Sequence, residues 1–200
     1  MNITDEELLM IEHLTYLNES VAKAAGLKGI ELVENRSIYT LLSSFDSTAI
    51  ANLEAKGDEP LAAEVSGYEW AQIIKYLQNN TRLNKLVLIE TMETPKGVPL
   101  ALCFTDGTPD TREAIIAFKG TTGGDEWSDN VEGAILRDTP DQIEALEFVQ
   151  GLPYADITLT GHSKGGNKAN YITILCDKVT RCVGSVSYTH LRAHETRGNL

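Results

Sequence analysis

Ser163 stands in Thr160-Gly161-His162-Ser163-Lys164-Gly165-Gly166, a Gly-x-Ser-x-Gly arrangement with the chemistry of a nucleophile. A serine hydroxyl attacks a carbonyl only when a base takes its proton and donors receive the oxyanion. The pentapeptide alone is common, since glycine and serine are abundant, so its context decides its weight. Here it follows Ala155-Asp156-Ile157-Thr158-Leu159-Thr160, which has strand chemistry, and precedes Asn167 to Cys176, which continues as a helix. Strand, sharp turn and helix are what a nucleophile elbow needs. The turn holds Ser163 in a strained conformation, and Gly161 and Gly165 remove Cβ atoms that would collide there. One oxyanion donor in such a turn is the backbone N–H of the next residue, Lys164.

A second donor has to come from a loop after an earlier strand of the same sheet. Phe118-Lys119-Gly120-Thr121-Thr122-Gly123-Gly124-Asp125-Glu126-Trp127-Ser128-Asp129 is the candidate. Gly120 lets the chain turn off the strand, and Thr121 presents its N–H and hydroxyl together. The alternative is a glycine-rich strand-to-helix turn without chemistry, or one that cradles phosphate; it leaves the loop at Gly120 unexplained. His162 reads as a packing residue pointing away from the nucleophile, and His13 as surface.

These two linked motifs, in this order, resemble the class 3 lipase branch of the α/β-hydrolases. They look closer still to bacterial lipase-like proteins of the Mbeg1 type. The resemblance covers roughly residues 84–183. It implies Ser163 as nucleophile, Thr121 and Lys164 as oxyanion donors, and Gly120, Trp127 and Asp129 as supports of the loop. Lys119 replaces a more usual Arg, and Lys164 a frequent Leu; Lys164 is read as solvated, with an acidic head group as the second possibility. The implied substrate is a small-molecule or lipid ester. A peptidase, thioesterase or acyltransferase on the same elbow, or a non-catalytic hydrolase-like binding protein, are the alternatives.

The elements that must position these residues are legible. Thr4 and Glu7, and Ser66 and Glu69, form two capping boxes, so residues 1–83 read as a helical N-terminal region of the same domain, with its first helix running to Gly26. It carries no chemical motif. Residues 86–92 and 98–104 read as a hairpin about Pro95-Lys96-Gly97, and Glu113 to Phe118, nearly all apolar, as a central strand. Thr139 with Pro140 opens a helix ending near Gly151. Strand, loop, helix and elbow strand form a crossover, so the sheet there should be parallel. The expected fold is an α/β-hydrolase-like, mostly parallel sheet flanked by helices, with 84–183 as its core.

A triad of this order needs an Asp or Glu and then a His after the serine. Asp177, Glu195, His190 and His194 are the candidates in the chain, and Asp177 falls at the far end of the helix leaving the elbow. The segment 184–200 resembles translated sequencing-adaptor DNA, so the expectation is a C-terminally incomplete hydrolase whose triad Asp and His are missing. Such a fragment would be nearly inactive and poorly soluble, with an exposed sheet edge.

Composition bounds the rest. Across 200 residues, 42% apolar and 23% charged is ordinary globular composition. A net charge of −12 argues against nucleic acid or anionic membrane as partner. No apolar run reaches the ~20 residues of a membrane span. The acidic start lacks a signal-peptide pattern, so cytoplasmic placement is the default, with signal-independent export left open. The three cysteines match no zinc or redox spacing. No metal site and no cofactor are expected, and oligomeric state is left open.

Overall fold

The strand chemistry of residues 86–118 produces a meander, because its connections are too short for anything else. The structure, a computed structural model, describes residues 1–120 and 139–185. Strand β1 is Arg36–Ser37, β2 Val87–Glu93, β3 Pro99–Thr105, β4 Glu113–Phe118, β5 Asp156–His162 and β6 Val179–Ser185. They form one open sheet in the order β1-β2-β3-β4-β5-β6. Gly97 (φ 73°) and Gly107 (φ 76°) supply the left-handed positions in the two turns that join β2, β3 and β4. Turns of that length give antiparallel neighbours, and the first three pairings are antiparallel.

Only past β4 does the direction change. Helix α6, Pro140–Gly151, returns the chain so that β5 runs parallel to β4. Helix α7, Lys164–Leu175, does the same for β6. The numbering used here assigns α1 to Asp5–His13, α2 to Glu19–Ala24, α3 to Ile38–Leu41, α4 to Ser47–Glu54 and α5 to Gly67–Asn79. The sheet is therefore mixed, not mostly parallel as the elbow context suggested. Parallel pairing is confined to the strands around Ser163, where helical crossovers exist to make it.

The two faces are covered by different parts of the chain. Side chains alternate along β4. Ala114, Ile116 and Phe118 pack with Ala145, Val149, Ala169 and Ile172 of α6 and α7. Ile115 and Ala117 join the larger cluster on the other face, with Leu8, Ile11, Trp70, Ile74 and Leu77 of the N-terminal helices. β4 is apolar from Ala114 to Phe118 because both of its faces are buried there.

Both capping boxes form as read, as does the Thr139 cap with Pro140 in the first turn. The first helix is shorter than its periodicity indicates. It ends at His13, tightens into a 3-10 turn at Leu14–Tyr16, and breaks where Leu17 becomes extended. Asn18 then accepts from the N–H groups of Ser20 and Val21 and starts α2. Capping chemistry thus overrides the apolar period. β6 continues through Gly184 and Ser185, two residues into the segment set apart as a tail. The rest of that segment, with His190, His194 and Glu195, lies outside the described residues.

Trp70 is the largest fully buried side chain among the described residues, and its Nε1–H donates to the Ala62 carbonyl. Trp70→Ala should lower unfolding free energy by about 3–5 kcal/mol in urea titrations, as deletion of a buried aromatic does.

Candidate functional site

Ser163 sits between the end of β5 and the first residue of α7 with φ 54° and ψ −119°. That is a rare conformation for a residue with a side chain and costs on the order of 1–3 kcal/mol. Two backbone bonds hold it there. Its N–H donates to the Ser185 carbonyl on β6, and its own carbonyl accepts from Asn167 in the first turn of α7. α7 therefore begins at Lys164, three residues ahead of the position its periodicity marks.

The turn closes because four glycines let backbones touch. A Cβ on Gly165 would overlap the Phe118 carbonyl oxygen. One on Gly161 would come within 2.5 Å of the Gly165 carbonyl carbon, and one on Gly166 within 2.9 Å of the Gly161 oxygen. One on Gly120 would stand 2.5 Å from the His162 oxygen, 2.7 Å from the Tyr16 hydroxyl oxygen and 3.3 Å from Ser163 Cβ. The end of β4 and the elbow are thus in direct contact, with Gly120 against the serine.

The sequence-derived residues divide accordingly. Ser163, Gly161, Gly165, Gly120 and Lys164 are brought together. Lys164 is half-buried, and its N–H precedes the hydrogen-bonded ladder of α7. Thr121, Trp127 and Asp129 lie outside the described residues. Asp177 is exposed between α7 and β6, the length of a helix away from Ser163. Among the described residues no imidazole or carboxylate hydrogen-bonds to Ser163 Oγ.

The N-terminal region, which bears no sequence motif, adds three polar groups behind the elbow. Tyr16 is buried, and its hydroxyl accepts the Gly120 N–H at 2.7 Å. On its other side it meets His162 Nδ1 at 3.2 Å, with the two rings edge to face. With Gly120 on one lone pair, the phenolic proton is available to Nδ1, and this pairing suits a neutral imidazole protonated on Nε2. Burial indeed lowers the His162 pKa and raises that of Tyr16 to about 12. Lys119 Nζ lies 5.5 Å from the Tyr16 ring centroid, and burial lowers its pKa.

Glu12, one turn before Tyr16, is also buried. It accepts from Thr160 Oγ1 on β5 at 3.0 Å and from Ser185 Oγ at the end of β6. Both partners are neutral hydroxyls, so burial dominates and pushes its pKa up to about 7. His13 is not a surface residue. It is half-buried, edge-on to Trp70, its Nδ1 paired with the Leu9 carbonyl and its pKa lowered by burial. A signal for Glu12 existed: it falls four residues after Leu8 and four before Tyr16, on the buried stripe of the helix.

No group of three or more His, Cys, Asp or Glu among the described residues could hold a metal ion. No helix among them is long and apolar enough to cross a membrane.

The model of the Mbeg1-like family matches residues 80–190, more than half of the chain. The chain belongs to the Mbeg1-like family. No curated protein and no solved structure matches it. The family segment contains β2 to β6 and the whole elbow; Glu12 and Tyr16 lie ahead of it.

Glu12 makes stability depend on pH in a definite direction. Its carboxyl is neutral in the folded chain up to about pH 7 but ionises near the usual 4.5 when unfolded. The contribution is whole below 4.5 and is lost as pH rises through 7, by about 3 kcal/mol. Glu12→Gln keeps the neutral shape without the titration. The stability of wild type relative to this variant should therefore fall between pH 5 and pH 8 in urea titrations; a constant difference would refute the assignment.

Proposed function

We propose that this Mbeg1-like chain is a serine hydrolase of α/β-hydrolase type that cleaves carboxylic esters, lipid or acyl esters foremost. The observation that carries the reading is the conformation of Ser163, φ 54° and ψ −119°, at a strand-to-helix turn closed by glycine contacts. A folded chain keeps such strain in a non-glycine residue where geometry serves a purpose, and presenting Oγ at the carboxyl end of a central strand is one. Parallel pairing on both sides of β5 adds support.

In this reading Ser163 Oγ attacks the ester carbonyl carbon. The carbonyl oxygen becomes an oxyanion held by the N–H groups of Lys164 and Thr121. Collapse breaks the bond to the alcohol, which leaves with a proton. Water then adds to the acyl-serine, the acid departs, and Ser163 regains its proton. The general base and its orienting acid come from outside the described residues.

A fluorophosphonate probe read by peptide mass spectrometry tests the assignment. The label should fall on Ser163, and Ser163→Ala should lower labelling by at least about 100-fold. Equal labelling of the variant would reject the proposal. A panel of esters graded in acyl length, set beside peptide and thioester substrates, separates ester hydrolysis from other acyl transfer.

A further inference from the structure

We infer that Tyr16, from the segment ahead of the family-matched region, is a positioning residue of the candidate site, its hydroxyl fixing Gly120, at the end of the described run after β4, against the elbow. The inference rests on the serine hydrolase reading for its catalytic meaning, and on hydrogen-bond geometry for the bracing itself.

The need arises at Gly120. Lys119 N–H still bonds across the sheet, to the Leu100 carbonyl at 2.9 Å, and is the last residue of this run to do so. Gly120 is buried one residue later, so its N–H requires another acceptor. Tyr16 supplies it from a position 104 residues away in sequence. The same hydroxyl meets His162 Nδ1 at 3.2 Å, on the residue that immediately precedes Ser163. One oxygen thereby joins the two backbone segments flanking the serine.

The catalytic consequence follows from these contacts. Gly120 lies against the serine, where a Cβ on it would stand 3.3 Å from Ser163 Cβ, and His162 immediately precedes the serine. The oxygen of Tyr16 therefore restrains the backbone on both sides of Ser163. A nucleophile displaced by even a fraction of an ångström loses much of its effect. Tyr16 is itself flanked by side chains. Lys119 Nζ lies 5.5 Å from its ring centroid, and the His162 ring stands edge-on to it. The side chain stays protonated across the physiological range and so remains a donor to His162.

Tyr16→Phe tests this, since it keeps the ring and removes only the oxygen. Amide hydrogen exchange at Gly120 should quicken by about 10-fold or more, with Ile116 and Leu159 unchanged. Phosphonylation of Ser163 should slow by about 10-fold or more, with the circular dichroism spectrum retained. Unchanged Gly120 exchange, or faster exchange with undiminished phosphonylation, overturns the inference. If the wild type takes no label, the hydrolase reading fails by itself, and Gly120 exchange alone decides the bracing role. The nitrogen spectrum of wild-type His162 adds a check that needs no variant. It should show a bare Nδ1 and a protonated Nε2; a proton on Nδ1 of the neutral ring overturns the donor assignment.

Discussion

The first turn of α7 can lie against the end of β4 only because Gly165 has no side chain, and the geometry around Ser163 hangs on that contact. Any Cβ at Gly165 would occupy the space of the Phe118 carbonyl oxygen. Gly161 and Gly166 repeat the constraint one layer over, between β5 and the helix. The helix is drawn so close that the chain has no room for an ordinary cap, and Ser163 absorbs the turn at positive φ. Flat burial of β4 by apolar side chains on both faces supplies the rigid surface that makes such an approach reproducible.

A polar layer on the opposite face completes the arrangement. Glu12 bridges β5 and β6 near their carboxyl ends, and Tyr16 bridges Gly120, after β4, and the last residue of β5. The strands around the elbow are therefore tied by backbone contact on the α7 side and by hydroxyl and carboxyl bonds on the α1 side. Tyr16 is uncharged across the physiological range, and burial keeps Glu12 neutral in the folded chain below about pH 7. The segment ahead of the family-matched region thus does more than cover the sheet.

Local patterns carried far in the sequence where a single short stretch determined the outcome. The caps at Thr4, Ser66 and Thr139, the turns at Gly97 and Gly107, the strands and the elbow all depend on neighbours within a few residues. The mixed sheet was half legible, since each hairpin could be read but their dominance over the parallel pairs could not be weighed. Glu12 and Tyr16 were missed because their partners lie 104 to 173 residues away, and a helix stripe does not reveal what it packs against. His13 was misplaced for the same reason, its neighbour Trp70 belonging to another helix.

The central proposal is that Ser163 is presented for attack, with the Lys164 N–H as a donor to the oxyanion that attack creates. A crystal structure of the chain after reaction with an alkyl fluorophosphonate tests it most directly. The account predicts phosphorus bonded to Ser163 Oγ, with the phosphoryl oxygen within hydrogen-bond reach of the Lys164 N–H and α7 still starting at Lys164. A phosphoryl oxygen turned away from Lys164, or phosphorus on another hydroxyl such as Ser185, would contradict it.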